Sequence, residues 1–157
     1  MKSLEEIKKD IESRTSAQVV IEGNSLVVPK EKLSEVALFL KGNPEYTMDF
    51  LSCVTGVDYT AHLEVVYHLY SMTKKHGPIV LKVRTDREAA KVPSVTPIWR
   101  SAEYQEREIY DLVGVNFESH PDLRRILMWD GFQYHPLRKD YVQEDQDREL
   151  ERPADSV

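Results

Sequence analysis

Three carboxylates and a guanidinium crowd one short stretch of the chain, Glu106-Arg107-Glu108-Ile109-Tyr110-Asp111. Two acids so close would suit general acid–base work, one protonated and one ionised. The periodicity of the segment is helical, however, and helical residues two apart point about 200° from each other, so Glu106 and Glu108 cannot flank one bond. Other chemistries fail on ligand count or spacing. One cysteine, Cys53, cannot hold an iron–sulfur cluster. Five histidines are present, but none has a zinc spacing such as H-E-x-x-H, and His62 and His68 lie too far apart along one strand to share a metal. The glycines are isolated, so no phosphate-cradling loop exists, and no serine sits in a nucleophile elbow. Cys53 reads as a buried small residue of an apolar strand. The sequence offers no catalytic centre, and the purified chain is expected to be colourless and metal-free, which absorbance and metal analysis would check.

The acids sit on a helix opening near Ser101, a suitable N-cap, with Glu103 in the first turn and Gly114 as the stop. Ala102, Glu106, Ile109 and Val113 share one face, and Glu103, Arg107 and Asp111 form an acid–base–acid ladder along another, expected to be exposed. Glu106 thus stands in line with apolar residues. It is either a half-exposed acid at the stripe's edge or a buried carboxylate held by Arg124, Arg125, Arg138 or a partner's arginine, since an unpaired buried charge is costly.

After this helix periodicity is lost, yet Phe117, Leu123, Ile126, Leu127, Met128, Trp129, Phe132, Tyr134, Leu137 and Tyr141 keep residues 117–141 apolar. Two similar passages occur within it: His120-Pro121-Asp122-Leu123-Arg124-Arg125 and His135-Pro136-Leu137-Arg138-Lys139-Asp140. Each reads as an anchoring point, with a leucine to bury and an arginine fork to bind carboxylates. The expectation is an arm that lies on another protein, the alternative being an arm that folds back to complete the domain core, over its first third above all. From about Trp129 onward it is expected to be mobile, or held by crystal or homo-oligomer contacts, when the chain is alone. Residues 142–157, acidic and nearly without apolar groups, are expected to stay loose.

These residues carry a resemblance. Glu106 to Leu112 with Gly114 and Phe117, His120-Pro121-Asp122-Leu123-Arg124-Arg125-Ile126-Leu127, and His135-Pro136-Leu137-Arg138-Lys139-Asp140-Tyr141 resemble the signature of the C subunit of NADH–quinone oxidoreductase, the 30-kilodalton subunit family of respiratory complex I. The likeness covers about forty contiguous residues, and extends more loosely through Phe50-Leu51, Gly56-Val57-Asp58-Tyr59, Val66-Tyr67-His68-Leu69, Ser71 and the Ser94 to Trp99 segment. Tyr104 stands where the family usually has tryptophan, Val113 where it often has phenylalanine, and Met128 to Tyr134 replaces a more usual proline–acid run. The resemblance implies a non-catalytic peripheral-arm subunit packed on the D subunit, which with the B subunit forms the quinone-reducing site. It implies iron–sulfur clusters and quinone in the partner subunits, no cofactor in this chain, and a place on the cytoplasmic side of the plasma membrane reached only through the complex. The equivalent subunit of a membrane-bound hydrogenase or a non-NADH dehydrogenase is the alternative. A free-standing acid–base enzyme is a further one, disfavoured by the helical geometry above.

The elements that must position these residues follow from composition and pattern. The chain has 157 residues, 41% hydrophobic and 31% charged, enough for one domain with a modest core. A net charge of −6 argues against nucleic acid, including for the Arg124 and Arg138 regions. The longest apolar run is far short of a membrane span, and the charged amino terminus lacks a signal-peptide core. Residues 3–14 predict a helix, and Val19-Val20-Ile21 and Leu26-Val27-Val28 a hairpin. Pro29 opens a second helix burying Leu33, Val36, Ala37 and Leu40. Met48 to Tyr59, apolar on both faces, predicts a central strand. His62 to Met72 and Pro78 to Thr85 predict two more, with residues 86–98 a loop. The predicted fold is α+β, a mainly antiparallel sheet with helices on one face: a domain over 1–116, an extended partner-binding arm over 117–141 and a tail over 142–157.

Overall fold

The computed structural model describes residues 2–142, so all but the first residue of the predicted acidic tail lies outside the described residues. Helix α1 spans Leu4–Thr15. The Ser3 hydroxyl accepts from the Glu6 amide while the Glu6 carboxylate accepts from the Ser3 amide, a reciprocal cap that satisfies two otherwise free donors. Strands β1 (Val20–Glu22) and β2 (Ser25–Val27) form the hairpin, turning at Gly23 with φ +59°. Lys30–Lys32 make a single 3₁₀ turn ahead of α2 (Leu33–Gly42), whose buried residues are the four expected.

Strands β3 (Phe50–Asp58), β4 (Leu63–Ser71) and β5 (His76–Thr85) follow as an antiparallel meander. The five-stranded order is β1-β2-β5-β4-β3, with β2 parallel to β5 and α2 carrying the chain from β2 across to β3 at the far edge. The fold is therefore α+β, with a mixed sheet. Its inner face carries Leu63, Val65, Tyr67, Leu69, Ile79, Leu81 and Val83, each at most 1% exposed, beneath the helices.

One strand departs from expectation. β3 is an edge strand, not a central one. Its apolar character has a different cause: α3 (Ala102–Val113) packs against it. Gly56 makes this possible, because a Cβ there would lie 2.7 Å from Ile109 Cγ2. The predicted loop 86–98 also contains a strand, β6 (Lys91–Pro93), which pairs in parallel with β7 (Asn116–Glu118) just beyond α3. Three-residue strands with no alternation of their own give no periodic signal. This small ladder ties the entry of α3 to its exit. Among the described residues no helix is long and apolar enough to cross a membrane.

Candidate functional site

Helix α3 is the post on which the signature residues are mounted. Its stop is as expected: Gly114 adopts φ +82°, and its N–H donates to Ile109 and Tyr110 carbonyls. Its start is not, for the Ser101 hydroxyl donates to Leu51 O (2.9 Å) and ties the helix to β3 instead of capping it.

Glu106 is fully buried, which removes the half-exposed reading. Among the described residues no arginine holds it either. The Ser94 hydroxyl (2.6 Å) and the Thr96 hydroxyl (3.0 Å) donate to one carboxylate oxygen, and the Val95 amide (2.8 Å) to the other. Burial pushes its carboxyl above the ordinary range, and these three donors only partly offset that. His120 Nε2 lies 3.9 Å away but donates to Glu103 O (3.0 Å), while Nδ1 accepts from the Asp122 amide (3.0 Å). The donors come from the Ser94-Val95-Thr96 segment, where two hydroxyls flank an amide between Pro93 and Pro97. That pattern was the available signal, and it was missed.

The acid–base–acid ladder is not a solvent face. Arg107 is 5% exposed and Asp111 fully buried. Arg107 donates to the Arg124 and Arg125 carbonyls, both at 3.2 Å. One Asp111 oxygen receives the successive amides of Ile126 (3.0 Å), Leu127 (2.7 Å) and Met128 (2.9 Å), and the other pairs with Arg125 Nη1 at 2.6 Å. Burial alone would raise the Asp111 carboxyl, but those amides and the guanidinium outweigh it and hold it below the usual range.

The arm therefore lies on its own helix. A helix ends with carbonyls that lack intrahelical donors. Here His135 Nδ1 donates to Asp111 O (3.0 Å), the Leu137 amide to Leu112 O (2.9 Å), and Arg138 Nε to Val113 O (2.7 Å). Burial lowers the His135 pKa, consistent with a neutral ring donating through Nδ1. Beyond it the Lys139 amide donates to Asp58 Oδ2 (2.8 Å) at the end of β3, and Arg87 bridges Asp58 and Asp140. Burial raises Asp58, yet the Lys139 and Thr60 amides and Arg87 bring its carboxyl below the usual range. Asp58 was named only within the looser resemblance, with no role assigned to it, and Arg87 was not singled out from the sequence.

The two similar passages share one real function: each histidine binds a carbonyl of α3, His120 at Glu103 and His135 at Asp111. The predicted arginine forks divide. Arg125 binds the Asp111 carboxylate, Arg138 binds carbonyls, and Arg124 faces solvent beside Asp122. The leucines divide too, Leu123 packing on the core and Leu137 pointing outward. Phe132, 7% exposed, centres an aromatic group with Trp129, Tyr134 and Tyr141, with Arg125 above its ring. Glu108 and Pro121 are exposed, and Pro136 is half-buried. The site thus brings together polar anchors facing inward and an apolar row facing outward: Leu127, Trp129, Tyr134 and Leu137 are each 54–62% exposed. Among the described residues no group of three or more His, Cys, Asp or Glu side chains could hold a metal ion.

Residues 26–147 match the family model of the respiratory-chain NADH dehydrogenase 30 Kd subunit. The chain is 47% identical to the C 2 subunit of NADH-quinone oxidoreductase from Rhizobium meliloti over 74% of its length and 65% of that protein. It is 41% identical to the C subunit of the Moorella thermoacetica oxidoreductase over 90% of its length and 92% of that protein. A C/D subunit from Phocaeicola vulgatus is 44% identical over 73% of the chain and 22% of that longer protein. The chain spans 62–65% of the length of the C subunits from Rhizobium meliloti, Rhizobium etli and Caulobacter. Among solved structures it resembles Nqo5 in a trypsin-resistant fragment (TM-score 0.56, 30% identity, 76% of this chain and 98% of that one). It also resembles a chain of the membrane-bound sulfane sulfur reductase, an archaeal respiratory membrane complex (TM-score 0.70, 25% identity, 98% and 94%).

Proposed function

The chain belongs to the respiratory-chain NADH dehydrogenase 30 Kd subunit family, and from that premise we propose that it is a non-catalytic peripheral-arm subunit of a complex I type NADH–quinone oxidoreductase. Its task is to hold a docking surface rigid beside the quinone-reducing module. The observation that carries this is the two-sided arm. Asp111 and Arg107 of α3 bind its backbone and its own His135 and Arg138 side chains bind carbonyls of α3, while Leu127, Trp129, Tyr134 and Leu137 are left outward. Interfaces draw their affinity from a few aromatic and aliphatic anchors that are already in place before binding. The partner is the D subunit, with the B subunit next to it. The C/D relative supports this choice, since its name joins the two in one protein. Iron–sulfur clusters, quinone, ion pumping and attachment to the cytoplasmic side of the membrane belong to those partners and the assembled complex.

The test is co-expression of the tagged chain with the D and B subunits of the same source. The expected result is a stable complex containing the D subunit, lost when Trp129 and Leu127 are both changed to aspartate. Purification of the chain alone, with the D subunit untouched in the same extract, would overturn the proposal. The likeness to the sulfane sulfur reductase supports a second reading, the equivalent subunit of a respiratory complex with another electron donor. Oxidation of NADH by the purified assembly decides between them.

A further inference from the structure

We propose that the outer edge of β3 is a docking strand, to which an extended segment of the partner adds along the groove that β3 and α3 line, while setting a basic side chain against Glu108. This rests on the subunit role proposed above. An edge strand presents unpaired backbone groups, and proteins usually blunt them. β3 is blunted at both ends. Near its start the ladder is irregular between Leu51 and Cys53, the Ser101 hydroxyl donates to Leu51 O, and the Val54 amide donates to Gln105 Oε1 at 2.7 Å. Near its finish the Asp58 carboxylate accepts from the arm at Lys139.

The middle is left open. The Val54 amide points away from β4, so the two-residue period of an antiparallel ladder turns the N–H and C=O of Gly56 the same way. Outside that ladder no hydrogen bond reaches either group among the described residues. A groove of about 270 Å³ runs beside them, lined from α3 by the aliphatic Ile109 and Leu112 with Gln105, and from the arm by Leu137. A donor–acceptor pair above an apolar floor is what recognises an extended backbone with an aliphatic side chain beneath it.

Charge selects the occupant. Glu108 on the groove wall is exposed and has no ion-pair or hydrogen-bond partner among the described residues. It favours a lysine or arginine on the incoming segment. The chain's own residues 143–157 carry six acids against two arginines and would be repelled. A second copy pairing through its own β3 offers only Cys53-Val54-Thr55-Gly56-Val57 over the groove, with no cation. The groove is also continuous, through Leu137, with the outward row of the arm, so one partner can cover both.

Two built-in probes test this on the isolated chain and on the complex with the D and B subunits. The first is amide hydrogen exchange at Gly56 against Thr55, which faces β4. The second is alkylation by N-ethylmaleimide of Cys53, the only cysteine and a residue lining the groove. In the isolated chain Gly56 should exchange fast and Thr55 slowly. In the complex Gly56 should slow by about a hundredfold or more, with Cys53 shielded as well. Glu108→Lys should leave the melting of the isolated chain unchanged and cut recovery of the complex by roughly tenfold, with Glu108→Gln intermediate. A complex in which Gly56 stays fast overturns the docking strand and leaves the subunit role standing, and so does shielding of Cys53 alone. Slowing of Gly56 that depends on the concentration of the isolated chain assigns the edge to a second copy and overturns it equally. Normal recovery of Glu108→Lys overturns the basic segment. Failure to form any complex with the D subunit overturns the subunit role and this proposal together.

Discussion

Glu106 and Asp111 are both fully buried acids of one helix, yet their environments make them opposite in energetic sign. Glu106 is met by two hydroxyls, which can turn to accept from a neutral side chain, and by the Val95 amide, which can go on donating to the oxygen that remains. Glu106→Gln should therefore cost no more than about 1 kcal/mol at neutral pH, whereas a carboxylate paired with arginine would have cost far more. Asp111→Asn strips Arg125 of its counter-charge and turns part of the amide-binding oxygen set into a donor, and should cost about 3–5 kcal/mol. Chemical denaturation of the two variants checks the order, and equal costs would refute it. The pH dependence follows the same division. Glu106 binds its proton more tightly folded than unfolded, so its contribution to stability falls as pH rises from 4.5 through its raised value. Glu106→Gln should flatten that part of the stability curve. Asp111 and Asp58 are held low, so their contribution is complete above 3.8 and lost as pH falls through their lowered values. Trp129 fluorescence should report release of the arm on that acid limb.

At the scale of elements, helices α1, α2 and α3 were legible because each carries its own apolar stripe and stop signal. The Glu103–Arg107–Asp111 row misled because spacing by four says which side chains share a face, not whether water or the chain's own backbone covers it. The arm covers it, and the arm has no period to read. β6 and β7 escaped for the same reason, and β3 was placed in the middle of the sheet because covering by α3 looks in sequence like covering by another strand. The join of α3 and arm is tight at Gly114, where a Cβ would lie 2.5 Å from His135 Cδ2 and 2.8 Å from Arg138 Nη2. Gly114→Ala adds a left-handed backbone penalty to that collision. It should destabilise the chain by about 1–3 kcal/mol and quicken tryptic cleavage after Arg138 and Lys139. Unchanged cleavage would mean that the arm is not held there.

For the whole molecule, the sequence showed that residues 117–141 carry more apolar surface than a solvated tail would keep, but not which side of the arm would turn to the domain itself. The polar side turns there and the apolar side does not. Backbone amides of 126–128 and of Leu137 and Lys139 should accordingly be protected from exchange in the isolated chain, through bonds to Asp111, Leu112 and Asp58. Uniformly fast exchange over these positions would restore the picture of an arm mobile until bound. If the proposed docking holds, Trp129→Ala should leave the melting of the isolated chain nearly unchanged while weakening association with the D subunit by about 2 kcal/mol or more. The first half is read by calorimetry of the chain and the second by titration against that partner.

The last carbonyls of α3 receive their donors from His135, Leu137 and Arg138, some 24 or 25 residues further along the chain. The helix can therefore nucleate early, yet it is finished only when a distant stretch returns to it. Such closures tend to form after the rate-limiting step, since a long loop must be closed before any bond rewards it. Loss of the Arg138 side chain should then leave the rate of refolding almost untouched and show itself as faster unfolding. The clasp that holds the arm is in this sense a lock on the finished domain and no guide to its making.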